Sequence, residues 1–173
     1  MPNHVLNIVK AKKKVIKAML CEENNLVDFN KLIPLPEDIK DKDGTTINDK
    51  CIELWGTKWN AFCQDSLDNT KTKVRFDTAW THCFPVIKQL SRKFPLELIK
   101  VSFADESMGM NCGEYIIIND TIIKENINHV SWFDFQEMKM KDKLNWVKFA
   151  YELHYGKGSF NKKVKAEYKY DLR

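Results

Sequence analysis

The sequence predicts an α+β fold of the ferredoxin-like, split βαβ type, with helices on one face of the sheet and a basic helical extension at the C-terminus. Three observations predict it. Between residues 5 and 103 the apolar pattern changes period in the order strand, helix, strand, strand, helix, strand, which is the split βαβ order. The 173 residues, 43% apolar and 30% charged, suit one domain with an appendage and a real core, and exclude global disorder and a coiled coil. Positive charge is also uneven. Residues 139–173 hold ten Lys or Arg against four Asp or Glu, a balance of +6, whereas the first 138 hold 18 against 20, a balance of −2.

Each element follows from its local pattern. Residues 5–9 are apolar on both faces (Val5 and Val9 against Leu6 and Ile8), as in a central strand. Residues 12–23 place Val15, Ile16, Met19 and Leu20 at helical spacing. Lys12, Lys13 and Lys14 open this helix and Glu22 and Glu23 close it, an order that opposes the helix dipole and marks a candidate basic patch. Residues 26–29 read as a short strand, and Pro34 and Pro36 force an extended path after it. Residues 37–50 are polar around Gly44 and read as a surface loop. Residues 52–62 read as part helix and part turn, and residues 64–72 as a second loop.

A strand begins at Lys73 and runs into "DTAW". Val86, Ile87, Leu90 and Phe94 line one helical face, with Pro85 in the first turn, Arg92 and Lys93 in the last, and Pro95 as the stop. Residues 96–103, 115–118 and 121–123 read as further strands, and 115–118 is a candidate open sheet edge. Leu144, Val147, Ala150 and Tyr151 share a helical stripe, with Asp142 as N-cap and Gly156 as the stop. Residues 160–173 are basic and weakly patterned, a strand or an unordered tail. The expected division is a ferredoxin-like domain over 1–125 and a C-terminal helix and basic extension over 126–173, packed on the domain or trailing from it.

Five stretches are distinctive together: "MPNHV" at the start, "FNKLIPLPEDI" from Phe29, "LWGTKWNA" from Leu54, "RFDTAW" from Arg75 and "GMNCGEYIII" from Gly109. Their content and order resemble the YubB-like family, which carries a ferredoxin-like domain and occurs in phages and conjugative plasmids. The likeness covers roughly residues 1–120. It implies an α+β fold and a mobile-element origin, and it assigns no activity and no catalytic residue. The chain departs from the family pattern at "THCFP" after Trp80 and in everything beyond about residue 125.

Four groups are candidates for chemistry. Trp55, Trp59, Phe76 and Trp80 are either core or a platform for a flat ligand, with Lys58 and Asp77 as polar contacts. Trp55 and Trp59 share a face if both lie on one helix. Asp77, Asp105, Glu106, Glu114 and Asp120 are the carboxylates available to a metal-dependent nuclease. His82 and Cys83 are adjacent, which suits a nucleophile–base couple poorly. The five cysteines, Cys21, Cys51, Cys63, Cys83 and Cys112, have no close-spaced pair, so they read as buried thiols rather than zinc ligands. The lysines of the extension, Lys139, Lys141, Lys143, Lys162, Lys163 and Lys165, are candidate electrostatic anchors.

The expectation is a non-enzymatic phage or plasmid protein, without metal or cofactor, that binds a host protein or ribonucleoprotein complex as an inhibitor of host defence, for instance an anti-CRISPR protein. The alternative is a single-stranded nucleic-acid binder that uses sheet aromatics and the basic C-terminal segment. No stretch approaches the roughly 18 apolar residues of a membrane span, and "MPNHVLNIVKAKKK" lacks signal-peptide order. A cytoplasmic location in a bacterial host is expected.

Overall fold

The computed structural model describes residues 2–40, 42–128 and 130–171. Five strands, β1 (His4–Lys10), β2 (Lys73–Ala79), β3 (Ile99–Asp105), β4 (Cys112–Ile118) and β5 (Thr121–Asn128), form one antiparallel sheet in the order β2-β1-β3-β4-β5. Among them run α1 (Lys13–Lys17), α2 (Glu37–Lys40), α3 (Gly44–Trp55) and α4 (Phe84–Lys93), and then α5 (Trp132–Glu137), α6 (Met140–Tyr155) and α7 (Lys162–Asp171) follow the sheet. Strands β2 and β3 both lie antiparallel to β1 on its two sides. The connection β2–α4–β3 is therefore a split βαβ unit around β1, as the ferredoxin-like pattern requires.

The second strand of that pattern is not where the sequence puts it. Residues 26–29 form a single bridge, Leu20 to Val27, followed by a 3-10 turn over Phe29–Lys31. Side chains take the place of a strand partner there. Gln64 accepts from Val27 N at 2.7 Å and donates to Val27 O at 3.0 Å, and Asn60 accepts from Phe29 N at 2.9 Å. The outer flank of β2 is occupied instead by Phe62, which exchanges two backbone hydrogen bonds with Asp77, at 3.1 and 2.9 Å. An edge strand is thus reduced to one residue pair.

Other differences have local causes. Within the stretch 37–50 that reads as a loop, residues 37–40 and 44–50 are helical. The second helix runs on to Trp55, in keeping with the part-helical reading of 52–62, because Asp43 caps it, accepting from Thr45 N and Thr46 N, and because a narrow stripe of Ile47, Cys51 and Trp55 suffices to bury it. Helix α1 stops at Ala18, so Glu22 and Glu23 are not at its end. Lys12 and Lys14 meet Glu97 at 2.9 and 2.8 Å, and these two ammonium groups, Lys14 first, hold the Glu97 carboxyl below its ordinary value. The segment 115–118 is not an edge, since β4 pairs with β3 and β5 on its two sides. Helix α6 starts after Lys139, one turn earlier than Asp142, and Gly156 ends it as expected. Residues 162–171 are helical rather than strand or tail. Asn161 accepts from Lys163 N and Val164 N, and Tyr151, Phe160 and Tyr168 gather between α6 and α7.

Alternation sorts the two faces of the sheet. Val5, Val9, Val74, Phe76, Ile99, Val101, Phe103, Tyr115 and Ile117 face α1, α3 and α4 and form the main core. On the opposite face α6 covers Ala104 and Cys112 with Trp146, Phe149 and Ala150. No helix among the described residues is long and apolar enough to cross a membrane.

Candidate binding site

The site grows out of the end of α3. Trp55 closes that helix inside the core, 1% exposed, with Nε1 donating to Ile33 O at 2.8 Å and its ring edge-on to Phe29. Gly56 then takes φ +74°, and a Cβ there would stand 2.8 Å from Pro85 Cδ, so glycine alone fits. The left-handed residue turns the chain out of the core. Thr57 next fastens it to the end of β2, its Oγ1 accepting from Ala79 N and donating to Ala79 O, both at 2.9 Å. Lys58 and Trp59 follow on the surface, and Trp59 is 38% exposed.

Trp80 arrives at the same place from the other side. Thr81 N donates to Ala79 O at 3.0 Å across Trp80, whose φ is +70°. This is a γ-turn of the rare positive-φ kind, strained for a bulky residue. It is held from every side. Trp80 N donates to Asn3 O, Trp80 O accepts from Asn111 Nδ2, Thr78 Oγ1 donates to Thr81 O, and Thr81 Oγ1 donates to Gly56 O. Asp105, 5% exposed, accepts from Asn3 Nδ2 and Asn111 Nδ2 behind the turn. The indole is left 46% exposed.

Lys58 Nζ lies 5.4 Å from the Trp59 ring centre and 4.9 Å from that of Trp80, a cation between two π-faces. The aromatic surface continues through Phe62, edge-on to Trp59 at 5.7 Å, to His4, edge-on to Phe62 at 4.9 Å. His4 Nδ1 is 3.4 Å from Asp77 Oδ2. Donor atoms of His4, Cys63 and Asp77 all lie within 4.8 Å of one another. Burial pushes the Asp77 carboxyl above its ordinary value, although His4, His154 and Arg75 pull the other way. Burial and the Asp77 charge push the Cys63 thiol up.

The family model for the ferredoxin-like domain in Api92-like protein matches residues 55–144, just over half of the chain. The chain belongs to that family. The matched span of this Api92-like ferredoxin domain begins at Trp55 and so takes in Lys58, Trp59, Cys63, Asp77 and Trp80; His4 lies before it. No curated protein and no solved structure matches the chain.

Of the residues singled out in the sequence, Lys58, Trp59 and Trp80 come together, while Trp55 and Phe76 are core. The carboxylates are dispersed among separate partners. Asp105 faces the polar network under Trp80, Glu114 meets Lys100 at 2.7 Å, and Asp120 meets Arg92 at 2.6 Å and Lys88 at 3.2 Å. Asp77 stands with His4. Cys83 is buried, its thiol pushed up to about 12 by burial, and His82 stacks on Phe103 at 4.0 Å. Lys139, Lys141, Lys162, Lys163 and Lys165 are exposed on the extension, whereas Lys143 is buried at 5%.

A second charged surface was not visible in the sequence. Lys73, Lys10, Lys100, Ile116 and Lys124 stand side by side at one register across all five strands, on the face opposite the main core. Strands lie about 4.8 Å apart, so like charges directly opposite one another repel. Among the described residues Lys100 has Glu114 at 2.7 Å, and the other three lysines have no carboxylate within ion-pair distance. Local windows of sequence cannot show this row, because strand register alone creates it.

Proposed function

We propose that this protein is a non-enzymatic binding protein that docks on a host macromolecule through Lys58, Trp59 and Trp80. The observation that carries the reading is the pair of exposed indoles flanking one ammonium group, with Trp80 fixed in a strained turn by hydrogen bonds shared with Asn3, Gly56, Thr78 and Asn111. Tryptophan dominates binding energy at protein interfaces, and a rigid anchor loses little entropy on docking. Fold stability does not demand this arrangement, since a bulky residue at positive φ costs of order 1–3 kcal/mol. The dispersal of the carboxylates and the burial of Cys83 also favour binding over bond-making.

The YubB-like resemblance supports a setting in a phage or conjugative plasmid, with the protein at work in the bacterial cytoplasm. An inhibitor of a host defence complex, of the anti-CRISPR kind, fits a compact scaffold that acts by covering a partner's surface. Affinity capture from the bacterial host tests this. Native protein retains a host protein or ribonucleoprotein complex, and a folded Trp59→Ala/Trp80→Ala double variant loses it. Equal retention by both would remove the patch from the account.

A second reading, binding of single-stranded nucleic acid, is favoured by the lysine row. It differs from the base-stacking form expected from the sequence, because the sheet aromatics Phe76, Phe103 and Tyr115 are all buried under the helices. The row instead suits a phosphate backbone, gripped without stacking. An oligonucleotide titration across salt concentrations distinguishes the two readings. Each phosphate contact contributes about −0.7 to the logarithmic salt slope for single strands, so Lys10→Glu and Lys73→Glu flatten the slope if this reading holds. A titration with no salt-dependent complex ends it.

A further inference from the structure

We propose that His4, Cys63 and Asp77 form a three-donor site for a borderline-soft divalent cation, zinc(II) by chemical preference. The donors come from three separated segments. His4 opens β1, Asp77 lies on β2, and Cys63 follows Phe62, which the two-bond bridge to Asp77 holds against the sheet. The imidazole, thiol and carboxylate atoms lie within 4.8 Å of one another. Bond lengths of 2.0–2.3 Å to a tetrahedral zinc put donors roughly 3.3–3.8 Å apart, so side-chain rotation by about 1 Å closes the site. A mixed nitrogen, sulfur and oxygen set selects zinc over the hard cations magnesium and calcium, which take oxygen alone.

Two further observations point to a cation. The Asp77 carboxylate is only 20% exposed, and among the described residues its one ion-pair contact is the long 3.4 Å approach of His4 Nδ1. Among the described residues His4 is its one side-chain hydrogen-bond donor, which leaves most of a carboxylate's roughly four acceptor positions open. Arg75 and His154 act on this carboxylate only through space. Arg75 reaches toward Asp68 at 4.0 Å and toward His154 O at 3.5 Å, and His154 Nε2 sits 3.1 Å from Ala104 O. Phe62 covers the imidazole edge-on, giving the site one dry wall, while the exposed Cys63 leaves the fourth position to solvent. The site adjoins the indole patch and needs no catalytic role.

Cobalt(II) is the direct probe, since it replaces zinc and reports sulfur ligation by colour. The chelator-treated full-length protein is titrated with cobalt. One equivalent giving tetrahedral visible bands and a thiolate-to-cobalt charge-transfer band is the expected result. Cys63→Ser abolishes the charge-transfer band, and His4→Gln and Asp77→Asn each weaken binding by at least about tenfold, the loss that even outer partners of a metal ligand cause. Thiol alkylation gives a second reading that does not depend on spectra. Zinc protects the exposed Cys63 and leaves the half-buried Cys21 as reactive as before. Absence of both cobalt bands, persistence of the charge-transfer band in Cys63→Ser, or equal protection of Cys21 overturns the proposal.

Discussion

The helix-covered face of the sheet and the outer rim of β2 use the same residue types for different ends. In the core, Phe29 stands edge-on to Trp55 at 5.6 Å and to Phe76 at 5.7 Å, and all three are at most 1% exposed. On the rim, Trp59 stands edge-on to Phe62 at 5.7 Å, and Trp59 and Trp80 stay open to solvent beside Lys58. Aromatic content therefore does not separate core from surface here. Backbone turns do. Trp55 and Trp59 are four residues apart and would share a helical face, but Gly56 at φ +74° ends the helix between them. One left-handed residue divides a buried tryptophan from an exposed one.

The largest expected effect belongs to the core. Trp55→Ala should cost about 3–5 kcal/mol, read from denaturant unfolding, because it empties a buried site and leaves Ile33 O without its donor. Trp59→Ala, in contrast, should stay within about 0.5 kcal/mol of native. Equal costs at the two positions would erase the distinction between face and rim. Gly56→Ala comes next, at about 1–3 kcal/mol for a strained left-handed residue, with Pro85 in the way of the new methyl group.

The γ-turn gives a finer test. Trp80→Gly should be more stable than Trp80→Ala by about 1 kcal/mol, since only glycine adopts positive φ without strain. Equal melting temperatures would mean that Trp80 carries no such strain. Asp77 supplies the pH dependence. Burial raises its carboxyl in the folded state above the unfolded value, so ionisation costs stability. That cost is absent below the ordinary carboxylate range and complete once pH has risen past the folded value. In chelator-treated protein, Asp77→Asn should be slightly more stable than native at neutral pH, and the advantage should fade on acidification. A growing advantage at low pH would contradict this assignment. The smallest effect is at Tyr115, whose buried hydroxyl has no hydrogen-bond partner among the described residues. Tyr115→Phe should leave stability unchanged or raise it, within about 0.5 kcal/mol.

Strands and helices with strong periodicity were legible in the sequence. The alternation of Ile99, Val101 and Phe103 fixed a strand, and Val86, Ile87 and Leu90 with Pro85 and Pro95 fixed a helix and its ends. Elements carried by side-chain hydrogen bonds were not. Nothing in "LVDF" reveals that Gln64 and Asn60 will satisfy its backbone, and nothing in "DGTTINDKCIELW" outweighs its polarity except the Asp43 cap and one thin apolar stripe. Part of the rim was legible, because Lys58, Trp59 and Trp80 are unusual residues in distinctive stretches. His4, Cys63 and Asp77 were not, because their proximity depends on a bridge between residues 62 and 77. The lysine row was hidden for the same reason, being a product of register across five strands.

The most direct measurement is the affinity of the captured host partner for three variants by calorimetric titration. Trp59→Ala and Trp80→Ala should each weaken binding by about 30-fold, the mark of an interface residue worth 2 kcal/mol, with melting temperatures close to native. Charge reversal at Lys162, Lys163 and Lys165 together should cost far less. Native affinity in both tryptophan variants, with the loss confined to the lysine variant, would contradict the account and move the docking surface to the C-terminal extension.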